Sequence, residues 1–271
     1  MKLRIKFAKY GAMKFLGHLD VMRFFQKAIR RAGIDIRYSE GFSPHQIMSF
    51  AAPLGVGLES FGEYMDIEVY SIPENGADII DPATNHEEES KILKGLQTVQ
   101  NALGQAMVPG FEIISITLLP DKSKNAMASV AAASYILYDK TGSFPIENLN
   151  EKLTDFYAKD HIYITKETKK NTLTLDLKAG MYEFSLIEAG PEYTGFDRTV
   201  PAVFMLVDAS SSGNIKPTFV WDAFCKEYDI TLPPYECQIV RLETYTDTAG
   251  EGKSRHLLPL AQMGDECYAA S

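Results

Sequence analysis

The order of the predicted elements is what most constrains this chain. In residues 2–9, Leu3, Ile5 and Phe7 face one way and Lys2, Arg4 and Lys6 the other, which is the period of a strand. Residues 18–32 switch to helical spacing. Val21, Phe25, Ala28 and Ala32 carry the apolar side, flanked by Phe24 and Ile29, and Gly33 ends the helix as a C-terminal cap. Residues 34–38 are extended and lead into the loop from Glu40 to His45. In residues 62–70 the period of two returns, with Met65, Ile67 and Val69 against Tyr64, Asp66 and Glu68. After a looser loop over 73–85, Thr84 or Asn85 caps a second helix. Glu87, Glu88 and Glu89 sit in its first turn, where the macrodipole favours anions, and Ile92, Leu96, Val99, Leu103 and Met107 form its buried stripe. Pro109-Gly110 breaks it, and residues 111–118 return as a strand. Strand, helix, two or three strands, helix and strand is the order of a ferredoxin-like split βαβ unit.

The order recurs after a linker at 120–125. Strands are predicted at 130–138, 162–165, 173–177, 182–188, 202–207 and 238–245. Helices are predicted at 146–157 and 217–228, the second opening on Pro217, whose fixed φ suits a first turn. The similarity lies in element order, with no repeat of residues. The expected fold is therefore α+β, with two ferredoxin-like (split βαβ) domains in tandem. Residues 1–120 form the first, 121–246 the second, and 247–271 a loosely ordered tail rich in Gly, Ala and charge. A length of 271 residues suits two such domains.

Composition narrows the function classes. No run of about 18 apolar residues occurs, so no membrane span is expected. The N-terminus reads as a strand and not as a signal peptide. The three cysteines, Cys225, Cys237 and Cys267, lack metal or redox spacing, which fits a reduced, cytoplasmic setting and predicts neither metal nor cofactor. Charge is unevenly spread. The first fifty residues hold ten Lys and Arg against Asp20, Asp35 and Glu40, a local +7, so the rest of a chain of net charge −9 carries −16. Such a patch suits either a localised anionic partner or the acidic remainder of the same chain.

Several stretches resemble a known family: Phe15-Leu16-Gly17-His18-Leu19-Asp20, Tyr38-Ser39-Glu40-Gly41-Phe42-Ser43-Pro44-His45, Ser49 to Gly57, and Gly62-Glu63-Tyr64-Met65-Asp66. Together they resemble the radical SAM-linked protein family, an uncharacterised conserved domain fused to, or encoded beside, radical SAM proteins. Weaker matches at 173–177, 215–217 and 240–245 extend the resemblance over most of the chain. Gln46 and Ile47 depart from the pattern, which often has proline and a base there, and this weakens a phosphate-gripping role for the loop. The resemblance implies a partner, a radical SAM enzyme on a separate chain, and no reaction. An iron–sulfur cluster needs closely spaced thiolates, whereas eleven residues separate Cys225 from Cys237. Radical chemistry would therefore belong to the partner, and the expected role is a non-catalytic accessory or substrate-presenting subunit.

Two groups of residues are candidates for function. The motif site comprises His18, Asp20, Tyr38, Ser39, Glu40, Phe42 and His45. Its histidines are suited to acid–base work if their loops converge at one sheet edge. The structural alternative makes His18 and Asp20 capping groups and Glu40-Gly41 a turn. The polyanion-binding candidates are Arg4 and Lys6, on a sheet face that split βαβ domains leave open, and the helix stripe of Arg23, Lys27, Arg30 and Arg31. Against them, Asp66 and Glu68 stand ready to neutralise the strand, and a charge stripe at helical spacing is often a solvated face. An RNA-binding module is thus one alternative function. A metal-independent RNA endonuclease using His18 or His45 is another. The loop 209–213 precedes a helix but lacks the Lys-Ser or Lys-Thr of a Walker loop.

Overall fold

The stretches of period two are strands and those of helical spacing are helices in a computed structural model, which describes residues 1–73, 86–167, 172–233, 235–249, 254–263 and 268–270. In the first half these are β1 (Lys2–Lys9), α1 (His18–Arg31), β2 (Met48–Phe50), β3 (Glu59–Glu68), α2 (His86–Gln105), β4 (Phe111–Leu119) and the short α3 (Ala126–Ser129). Then come β5 (Ala132–Asp139), α4 (Leu149–Tyr157), β6 (Tyr163–Glu167), β7 (Thr172–Asp176), β8 (Met181–Ala189) and α5 (Pro191–Thr194). The chain continues through β9 (Val200–Asp208), α6 (Pro217–Glu227), β10 (Cys237–Asp247), β11 (Leu257–Pro259) and β12 (Tyr268–Ala270). The predicted caps at Thr84 and Asn85 lie outside the described residues. Among the described residues, no helix is long and apolar enough to cross a membrane.

Contacts divide the chain into two units, Met1–Val130 with Thr244–Ser271, and Ala131–Glu243. In the first, β1 lies between β3 and β4, and β2 pairs with the far side of β3, all antiparallel. The order β4-β1-β3-β2 is that of a split βαβ sheet. Both helices bury most of their predicted stripes; Ala32 and Met107 lie just past the helix ends and are partly buried. Val21, Phe25, Ala28 and Ile29 of α1 and Ile92, Leu96, Val99 and Leu103 of α2 pack with Leu3, Ile5 and Phe7 of β1.

The second unit repeats the plan. The strand order is β10-β5-β9-β8, with β9 antiparallel to both β5 and β8. Leu153 and Phe156 of α4 and Val220, Trp221 and Phe224 of α6 are buried with Ile136, Phe184 and Met205. One insertion departs from the plan: β6 and β7 form a separate two-stranded antiparallel sheet before β8. The chain is therefore α+β, built from two ferredoxin-like units in tandem.

Residues 247–271, expected as a loosely ordered tail, group with the first unit. β11 pairs with β10, placing Tyr245 opposite Pro259, and β12 pairs with β4, placing Tyr268 opposite Leu118. Leu260 is completely buried. The segment lacks a long alternating pattern because its strands are only three residues long.

The same segment overturns the expected exposure of Arg4. The register sets Arg4 opposite Asp66, as alternation allows, but both are buried. Arg4 Nε donates to Asp66 Oδ1 at 2.8 Å and Nη2 to Oδ2 at 3.0 Å. Nη1 also reaches the Leu260 carbonyl at 3.2 Å and Met263 Sδ at 2.7 Å, and Nη2 reaches the Lys124 carbonyl at 3.2 Å. Asp66 Oδ2 accepts a further bond from the Ala126 N–H at 2.6 Å. Face periodicity assigned Arg4 to the side away from the helices; it carried no sign that chain segments 124–126 and 260–263 lie over that side.

Asp66→Ala strands a buried guanidinium and is expected to lower the unfolding free energy by about 3–5 kcal/mol, while the paired change Arg4→Met with Asp66→Leu costs far less. Urea unfolding followed by circular dichroism checks this. Equal costs for the two variants would show that charge desolvation does not govern the site.

Candidate functional site

Each residue of the motif site can be followed from its local backbone. Gly17 is the extended cap residue of α1, and its carbonyl accepts the N–H groups of Asp20 and Val21, both at 3.1 Å. Asp20 does not cap the helix with its side chain; it forms an exposed pair with Arg23 at 3.3 Å. The His18 ring stands edge-on to Phe50, with centroids 5.1 Å apart.

Beside His18 lies a narrow cleft of about 10 Å³, lined also by Phe7, Lys9, Val21, Phe50, Pro53, Leu54 and Glu63. Lys9 and Glu63 are 3% and 6% exposed, and neither lacks an interaction partner. Lys9 shares the parity of Leu3, Ile5 and Phe7, and Glu63 that of Met65 and Ile67, so both side chains lie on the helix-covered face of the sheet. Sequence reasoning missed them, although charges at core-facing parity were visible. Burying such charges is costly unless they are satisfied, so they set the polarity of the cleft. At this volume it holds about one water and no substrate.

His45 has separate surroundings. Residues 38–46 close on themselves: Tyr38 bridges Gln46, and the Ser39 N–H donates to the His45 carbonyl at 2.8 Å. Ser39 Oγ lies 2.8 Å from His45 Nδ1 and accepts the His45 N–H at 3.1 Å. Gly41, at φ +106°, supplies a turn conformation open to glycine. Gln46 Nε2 donates to the Gln26 carbonyl at 3.3 Å, which anchors the loop to α1. Glu40 is exposed, Tyr38 is 43% exposed and Phe42 is fully exposed. The loop is thus a hydrogen-bonded mount for Phe42, and His45 serves to close it.

The basic candidates also divide. Arg4 is buried, as described above. Lys6 is half-buried, 5.9 Å from the centre of the Tyr64 ring. Arg23, Lys27, Arg30 and Arg31 share an exposed face of α1, as their spacing predicts. Arg30 Nε donates to the Gln26 carbonyl at 3.2 Å, and Arg31 Nη2 to the Ala106 carbonyl at 2.8 Å.

In the second unit, the loop after β9 folds onto Asp208. Its Oδ1 accepts the Ser210 N–H at 2.8 Å and hydroxyl at 2.6 Å, while Ser210 Oγ accepts the Gly213 N–H at 3.2 Å. These donors are used internally and not aimed at a ligand. A larger cavity, about 620 Å³, lies between α6 and β6. On its wall, His161 Nδ1 is 2.7 Å from Asp176 Oδ2. Asp176 Oδ1 accepts the Ile162 N–H at 3.0 Å and the Lys178 N–H at 3.1 Å. The hydrogen bond from His161, aided by those backbone donors, holds the Asp176 carboxyl below the ordinary carboxylate range. No motif had marked His161 or Asp176; they stand fifteen positions apart on a hairpin.

Burial pushes the thiol of Cys225 up to about 11 and that of Cys237 up to about 12, with Asp222 and Asp139 adding to the respective shifts. Among the described residues, no group of three or more His, Cys, Asp and Glu is placed to hold a metal ion.

A tandem pair of split βαβ units with these surroundings defines the class of protein. The chain belongs to the family described as "Uncharacterized protein conserved in bacteria (DUF2344)", whose model matches residues 2–84 and 88–217. No curated protein matches the chain.

Two outcomes follow. Because the Asp176 pKa is depressed by folding, its contribution is present at neutral pH and lost as pH falls through the folded value. Asp176→Asn should therefore melt below the wild type at neutral pH, with the gap closing in acid. A gap independent of pH would remove the carboxylate as its cause. For the thiols, about one part in a thousand of Cys225 is thiolate near pH 8. In a Cys267→Ser background, iodoacetamide should react slowly with the folded chain and rapidly in urea. Fast labelling of the folded chain would contradict this picture.

Proposed function

We propose that this protein is a non-catalytic accessory or substrate-presenting subunit of a separate radical SAM enzyme, and that the loop 38–46 is a docking point. The observation that carries the reading is the complete exposure of Phe42 on a loop held by its own hydrogen bonds. A large apolar side chain presented by an ordered loop favours a protein contact, because little conformational freedom is lost when it is covered. The resemblance to radical SAM-linked proteins includes this loop and supplies the kind of partner. The cysteine spacing supports a role outside radical generation: eleven residues separate Cys225 from Cys237, whereas a cluster needs closely spaced thiolates.

RNA binding on the sheet face loses its central residue with the burial of Arg4. What supports an RNA contact is the exposed α1 stripe, with Lys27 at its middle. The cleft beside His18 is too small to admit a substrate, so the endonuclease alternative gains no support there.

Co-purification with a radical SAM enzyme expressed as a separate chain in the same cells, with substrate present, tests the proposal. Phe42→Glu should abolish retention while changing stability by no more than about 0.5 kcal/mol, as for an ordinary surface change. Retention equal to wild type would remove the loop as the docking point, and absence of retention by the wild type would count against the accessory role itself.

A further inference from the structure

The cavity of the second unit has no part in the docking proposal, yet it has the form of a ligand site. Its volume of about 620 Å³ lies within the range of small-molecule pockets, roughly 300–1,000 Å³. Phe156, Ile162 and Phe219 supply apolar wall, and a few polar groups converge on it.

Three features define what would fit. The first is a platform of rings. His161 and Tyr163 lie nearly parallel, 14° apart with centroids 5.3 Å apart, and Tyr163 is 63% exposed. A tyrosine so placed offers π-surface to a further planar ring. The second is an oriented imidazole. Asp176 engages Nδ1 of His161, leaving Nε2 to meet a hydrogen-bonding edge. The third is a cation. Lys159 is paired with Glu227, whereas Lys226 has no carboxylate partner among the described residues. An ammonium at the rim suits a phosphate or carboxylate. Asp222 adds a carboxyl beside Lys226 on the same helix, one whose ionisation is hindered by partial desolvation.

We infer that this cavity binds a small planar heteroaromatic molecule carrying an anionic group, the chemistry of a nucleoside monophosphate, with Tyr163 stacking on the ring, His161 reading its edge and Lys226 meeting the anion. The inference concerns the second unit and does not depend on the docking role of Phe42.

Trp221, the sole tryptophan, adjoins Asp222 in sequence and serves as the reporter. The full chain is titrated with AMP and UMP, with ribose 5-phosphate and adenosine as controls, while its fluorescence is recorded. Saturable binding of the nucleotides is expected, with ribose 5-phosphate binding more weakly than AMP. Tyr163→Ala should weaken AMP binding about tenfold or more, and Tyr163→Phe should restore it. Lys226→Ala should weaken AMP but leave adenosine unchanged, and it removes only an exposed side chain, so a folding defect in the tyrosine variant does not decide the test. The inference is overturned if neither nucleotide saturates by about 1 mM. It is equally overturned if ribose 5-phosphate binds as tightly as AMP, or if folded Tyr163→Ala and Lys226→Ala bind AMP like wild type. Because Phe42→Glu lies in the other unit, these results are distinguishable from failure of the docking proposal.

Discussion

One guanidinium organises the side of the first unit that faces away from its helices. A split βαβ sheet carries both helices on one face, so any chain laid over the other must bury polar backbone against strands. Arg4 resolves that problem by meeting the Asp66 carboxylate and the carbonyls of Lys124 and Leu260 together. A buried ion pair offsets its desolvation only when geometry is good and the remaining donors are satisfied. Here Nε, Nη1 and Nη2 all have acceptors. The pair thereby fixes where the segment after β4 and the segment after β11 can run. A residue that reads as a phosphate ligand in the sequence is a junction of four chain segments in the fold.

The distinction between face and cover explains what was legible in the sequence. Alternation in residues 2–9 and 62–70, helical spacing in 18–32 and the repeated element order led directly to β1, β3, α1 and the tandem plan. Parity also placed Arg4 opposite Asp66 on the correct side. Parity is local, however, and the cover over Arg4 comes from residues more than a hundred positions away. The same reason hid the incorporation of residues 257–260, whose strand is too short to show a period. Lys9 and Glu63 are the opposite case. Their parity was readable and put two charges on the core face, where burial requires that they be satisfied.

The two units share a plan and differ in where they are elaborated. The first adds edge strand β12, the short α3 and a closed loop between α1 and β2. The second inserts the β6–β7 ribbon between α4 and β8. A two-stranded ribbon has little stability of its own and depends on packing against other elements. Its first residues, His161 to Thr165, contribute one wall of the cavity, and α6 contributes another. Insertion into a conserved order of strands is thus how a ligand-sized space arises without disturbing the sheet, since β5, β9 and β8 keep their pairing.

Histidine chemistry in this chain is decided by partners more than by position in a motif. His45 belongs to the most distinctive loop, yet its Nδ1 and backbone N–H are both used by Ser39, so its contribution is to shape. His161 belongs to no motif, yet it is held by a carboxylate that three hydrogen bonds keep ionised, and its ring lies against an exposed tyrosine. An imidazole fixed through one nitrogen presents the other in a defined direction, which is the physical requirement for recognising a ligand edge. Both His45 and His161 meet that requirement through Nδ1, and His161 in addition lines a ligand-sized cavity. The loop carries something different, an aromatic ring already ordered before any partner arrives. Ordered presentation at the loop and directed hydrogen bonding at the cavity are separate physical capacities, carried by different units of the chain.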